Sequence, residues 1–95
     1  MFWDTIEERI KGFAYATEPQ RLLLVAEDQA IFEGGHESHI LLCVDGTWTC
    51  DCTAYAASCR LPGDDWCRHT IALERILAAL AAGVHLPVRR AVVLH

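Results

Sequence analysis

Apolar residues along this chain change their period twice. Near the start, Ile6, Ile10 and Phe13 recur at helical spacing with Glu7, Glu8 and Lys11 between them. That pattern predicts an amphipathic helix with the apolar stripe turned to the core and the charged residues turned to water. Asp4 is a suitable N-cap, Glu7 stands three residues on as in a capping box, and Pro19 stops the helix. The period then shortens. Four strand-like segments follow, RLLLVA, AIFE, HILLCV and TWTC. Asp45-Gly46 between the last two is the strongest turn signal in the chain. A two-residue Asp-Gly loop sets Val44 opposite Thr47, Cys43 opposite Trp48 and Leu41 opposite Cys50. It also sets His39 opposite Cys52 if the strands pair that far.

Beyond Cys52 the pattern dissolves into a loop, with Leu61-Pro62-Gly63-Asp64-Asp65 as its clearest breaker. A final helix is expected over about 67–82, with Gly83 at C′ and Pro87 beyond. His69, Leu73, Ile76, Leu77 and Leu80 share one face of it. The other face carries Arg68, Glu74 and Arg75 but also Ile71, Ala78 and Ala82. So apolar a helix needs cover on more than one side, from the first helix, from the tail after Pro87 or from a partner. The fold class is α+β: a helix, an antiparallel meander of about four short strands, a long loop and a helix, in a single domain. Residues 1–28 supply the first helix and strand, 29–83 the core with its loop, and 84–95 a tail.

Composition narrows the function. The chain of 95 residues is 53% hydrophobic and 22% charged, enough for one core but a marginal one that a metal or disulfide staple would help. Thirteen acids outweigh eight basic residues, of which only Lys11 is a lysine, for a net charge of −5. Non-specific attraction to nucleic acid or anionic lipid is not expected from that balance. MFWDTIEERI lacks the basic and apolar regions of a secretory signal, and no apolar run is long enough to span a bilayer. A cytoplasmic, reducing location follows as the expectation, and five cysteines there read as metal ligands before disulfides.

Four donors carry the chemistry. Cys50-x-Cys52 and Cys67-x-His69 form two tight pairs with 14 residues between them. On an extended chain Cys50 and Cys52 point to the same side. Inside a helix, Cys67 and His69 would splay by about 200°. They converge only if Cys67 sits at the helix entrance, outside helical geometry. There the positive end of the helix dipole favours the thiolate that a metal ligand must be. Three thiolates and one imidazole make a closed, structural Cys3His zinc site with no open coordination position. A catalytic zinc would keep such a position, and no nucleophile–base pair or phosphate loop is visible, so no enzymatic activity is expected, with a thiol redox enzyme or a zinc hydrolase as the remote alternative.

Cys-x-Cys, a variable loop and Cys-x-His opening an apolar helix closely resemble the SWIM-type zinc finger. The matching residues are Cys50, Cys52, Cys67 and His69, in CDC and WCRHTIAL. The resemblance covers about residues 31–77, and the strands before CDC look like that family's ββα layout. It implies one bound zinc and a module that binds protein or DNA, as such fingers do beside remodelling-type ATPases and Mutator-class transposases. Any such ATPase or transposase activity would belong to another chain.

The remaining candidates read more plainly. Cys59 lacks a neighbour at ligand spacing and is a free loop thiol, with exchange for Cys67 or His69, or a disulfide, as the alternatives. Cys43 is a small core hydrophobe. His36 and His39 form a loose His-x-x-His near Gly34-Gly35 that reads as a solvated turn, with a second metal as the alternative and His39 in reach of the first metal site. Trp48, Tyr55 and Trp66 bracket the ligands and pack around them. Asp64 and Asp65 belong to the loop. Between positions 45 and 75 five acids face three arginines, and a zinc with three thiolates adds one further negative charge. The expected partner is therefore a protein, and nucleic acid is the alternative that charge disfavours.

Overall fold

The computed structural model describes residues 5–58 and 67–91. Helix α1 (Thr5–Ala16) leads through a 3-10 turn (Pro19–Arg21) into strands β1 (Leu22–Ala26), β2 (Gln29–Glu33), β3 (Ser38–Val44) and β4 (Thr47–Cys50). A short helix α2 (Thr53–Ser58), a longer helix α3 (Arg68–Ala81) and strand β5 (Arg89–Arg90) follow. The sheet order is β4-β3-β2-β1-β5. The first four strands form an antiparallel meander, and β5 lies parallel to β1.

The Asp-Gly turn sets the register that the sequence predicts. Asp45 (φ 52°) and Gly46 (φ 80°) both take positive φ, the type I′ geometry whose twist matches the flanking strands. Val44 then pairs with Thr47, Cys43 with Trp48 and Leu41 with Cys50. The pleat sends Ala30, Phe32, Leu41 and Cys50 to the inner face, all buried, and leaves Ile40, Leu42 and Val44 exposed on the outer one. The inner face joins Ala72, Leu73 and Ile76 of α3 in one hydrophobic cluster. Gly83 (φ 89°) ends α3, with Gly83 N–H donating to Leu80 O and Val84 N–H to Ala79 O at 3.0 Å each.

Three expectations are corrected. The α1 stripe does not face the core: Ile6 and Ile10 are 69% and 63% exposed and Phe13 is exposed too, whereas Glu8 is buried. The reason lies in the partner helix. An ideal Cβ on Gly12 would lie 2.7 Å from Ile71 Cγ2, so only glycine lets α1 approach α3 this closely. Glu8, one turn before Gly12, then meets the N-terminus of α3. Ile71 is thus covered by α1. Second, the segment after Cys52 is helical over Thr53–Ser58, not loop. Alanines favour the helix, and Cys52 caps it: the Tyr55 N–H donates to Cys52 Sγ at 3.3 Å, and Ala56 N–H to Cys52 O at 3.2 Å. Third, part of the tail is a strand. Ala91 N–H donates to Leu24 O at 2.9 Å, and Arg89 reaches Glu33 at 2.9 Å, tying the tail to the β1 edge. Asp4 and the breaker at 61–65 lie outside the described residues.

Candidate metal centre

The four donors come from three element ends. Cys50 closes β4, Cys52 caps α2, and Cys67 precedes α3, whose first turn carries His69. Cys67 has φ −143° and ψ 179°, an extended residue outside the helix, as convergence with His69 demands. Its backbone N–H donates to Thr70 Oγ1 at 2.8 Å while its sulfur receives the Thr70 N–H, a capping box with cysteine as the cap. Cys52 arrives differently from expectation. The strand ends at Cys50 and the chain bends, so it is the turn into α2 and not strand parity that brings Cys52 back.

All four donor atoms lie within 4.8 Å of one another, and all four residues are buried. His69 Nδ1 stands 3.7 Å from Cys50 Sγ and 3.8 Å from Cys67 Sγ. In a tetrahedral site with metal–sulfur bonds of about 2.3 Å and metal–nitrogen bonds of about 2.0–2.1 Å, sulfur and nitrogen lie about 3.6 Å apart. The donors therefore stand near the spacing that shared coordination imposes, and the cluster can hold one metal ion. The His69 ring is fixed by three neighbours, His39, Phe32 and Tyr15, with centroids 4.3, 5.7 and 6.0 Å away.

Without a cation the three sulfurs compete for charge. Hydrogen bonds from Cys50 and Cys67 hold the Cys52 thiol far below its usual value, with help from His69 and the Tyr55 N–H. The same hydrogen bond to Cys52 drives Cys50 well above its usual range, and Cys67 and burial add to it. Cys67 is drawn down by Cys50, but Cys52 and burial outweigh that and push it up to about 11. One thiolate shared among three sulfurs is what a buried, metal-free pocket tolerates, and a divalent cation is what lets the other two ionise.

His39 does not face Cys52 across the hairpin, because β4 stops at Cys50. Its Nδ1 instead meets Asp51 Oδ1 at 3.1 Å. Cys43 is a half-buried free thiol, and Trp48, on the same sheet face as Cys50, packs against the core. Tyr55 is buried beside Cys52. His36 is exposed. Cys59, Asp64, Asp65 and Trp66 lie outside the described residues.

Glu8 is the supporting residue that sequence reasoning misses. Its carboxylate accepts from Arg68 Nη2 at 2.6 Å and from the Arg68 backbone N–H at 3.0 Å, so it caps the helix that carries His69. An acid among exposed-looking acids gives no local signal of this. No protein family, curated protein or solved structure matches the chain. Among the described residues, no helix is long and apolar enough to cross a membrane.

Proposed function

We propose that this chain is a zinc-held, non-catalytic interaction module of the SWIM type, and that it binds another protein. The observation that carries the zinc reading is the convergence of Cys50, Cys52, Cys67 and His69, buried and at coordination spacing, from a hairpin end and a helix start. Three sulfurs and one imidazole suit zinc, and four protein donors leave it no open position for catalysis. The metal would join the sheet to α3 and set the helix against it.

Two features favour a protein partner. Ile6, Ile10 and Phe13 present apolar surface along α1, and Ile40, Leu42 and Val44 present more on the outer sheet face. Four of the described arginines are engaged within the fold. Arg68 pairs with Glu8, Arg89 with Glu33, Arg21 with Glu18, and Arg75 lies 4.5 Å over the Phe13 ring. An acidic chain with four of its seven arginines so occupied is poorly suited to nucleic acid.

Native mass spectrometry of zinc-limited protein tests the first half, with one ion expected on the wild type and none on Cys50→Ser. A wild type that takes up no tightly held zinc overturns it. Affinity capture comparing wild type with Ile10→Asp and Ile40→Asp, both kept folded by the metal, tests the second. A bound protein lost on one of these surface changes is expected, and a set of bound proteins identical across all three overturns it.

A further inference from the structure

Cys50 belongs to two donor sets. Besides the Cys3His cluster, the donor atoms of His39, Cys50 and Asp51 all lie within 4.8 Å of one another. We propose that these three residues form a second, weaker divalent-cation site that shares the Cys50 sulfur with the first as a bridging thiolate. The inference rests on the zinc reading above, since the bridge requires Cys50 to be a thiolate.

The geometry suits shared coordination. His39 Nδ1 and Asp51 Oδ1 stand 3.1 Å apart, and an imidazole nitrogen and a carboxylate oxygen on one tetrahedral zinc lie about 3.3 Å apart. The imidazole is held in place, its ring 4.3 Å from that of His69 and its side chain only 14% exposed. Asp51 is held by its position between two ligands of the first ion, Cys50 and Cys52. Little reorganisation therefore remains to be done on binding.

Charge points the same way. A zinc with three thiolates is a −1 centre, and the Asp51 carboxylate beside it adds a second negative charge. Glu37 Oε1, 4.0 Å from His39 Nε2, adds a third. A divalent cation neutralises this group. There is room for one: an open cleft of about 580 Å³ borders His39, Asp51, Cys52 and His69, so water can complete the coordination shell. The site differs from the first in having a half-exposed carboxylate, one imidazole and a single shared sulfur, with solvent access, where the other is buried and sulfur-rich. It is suited to exchange its ion, where the first is suited to keep one.

The test is stoichiometry. Folded protein carrying one zinc is titrated with further zinc and followed by native mass spectrometry, alongside His39→Ala and Asp51→Asn. Wild type should take a second ion and lose it to a chelator at least about tenfold more readily than the first, while both variants stop at one. Cobalt titration adds a spectroscopic reading: the first equivalent should bring the strong charge-transfer absorption of three thiolates, and the second a smaller increment from the shared Cys50 thiolate together with ligand-field bands. Saturation of wild type at one ion overturns this inference and leaves the Cys3His reading standing. So does a second ion held equally by both variants, which is adventitious binding. Protein that takes up no zinc at all removes both readings.

Discussion

Glu8 on α1 and Arg68 on α3, sixty residues apart in the chain, form an ion pair in which the carboxylate also accepts the Arg68 backbone N–H at 3.0 Å. One buried acid thus neutralises a guanidinium, caps a helix and fixes the angle between two helices. Its place explains why α1 turns the face of Glu8, Gly12, Tyr15 and Ala16 inward. Arg68 in turn is held above its usual value by its hydrogen bonds to the Glu8 carboxylate.

Glu8→Gln should destabilise the protein by about 1–2 kcal/mol, because it leaves a half-buried guanidinium without its counter-charge and weakens a cap. Chemical denaturation of the metal-loaded forms measures this. Zinc stoichiometry should stay unchanged, since no ligand is touched.

Gly12→Ala sets two effects against each other. Alanine gains about 1 kcal/mol in helix propensity, but its Cβ meets Ile71 at 2.7–2.8 Å and the Arg68 carbonyl at 3.2 Å. Overpacking of this kind costs about 1–3 kcal/mol. A net loss of about 1 kcal/mol is expected, read from the shift in denaturation midpoint.

Metal uptake should release protons. With Cys52 already ionised and Cys50 and Cys67 held protonated, binding at pH 7 should expel about two protons per ion. Calorimetry in buffers of different ionisation enthalpy counts them. Acid should therefore drive the metal off. In the metal-free fold the two raised thiols, Cys50 and Cys67, have the opposite dependence. Raised thiols contribute stability that is full below the usual value of 9.0 and is lost as pH rises through the folded value, about 11 for Cys67. Melting of chelated protein between pH 7 and 11 should fall over that upper window.

Cysteine substitutions should separate into two classes. Cys67→Ser should abolish tight zinc binding and lower the melting temperature to that of chelated protein, because the bound ion contributes to folding directly. Cys43→Ser, at a half-buried thiol that holds no metal, should cost about 1 kcal/mol or less and retain one ion. Thermal melts with and without chelator distinguish them.

The sequence by itself determined the local events. Asp45-Gly46 dictates the hairpin register down to Leu41 opposite Cys50, because a type I′ loop allows one pairing only. The breakers before Cys67 and the apolar period after it place that residue at the entrance of α3, and Gly83 ends the helix with a φ that other residues resist. Cys50, Cys52, Cys67 and His69 then stand at or near the ends of those elements, and the fold brings them into one cluster that could hold a metal ion.

Only the tertiary structure decided what depends on partners distant in the chain. The hydrophobic period of α1 points Ile6, Ile10 and Phe13 inward, yet the close approach at Gly12 and the charge demand at Arg68 turn that stripe out. Periodicity reports how a helix would bury itself against an unspecified core, whereas packing also weighs fit and electrostatic pairing against the element that is there. The same holds for the His39–Asp51 contact and for the pairing of the tail with β1. Each joins segments that no local signal connects, and each exists because folding leaves a polar group or a strand edge that some remote residue must satisfy.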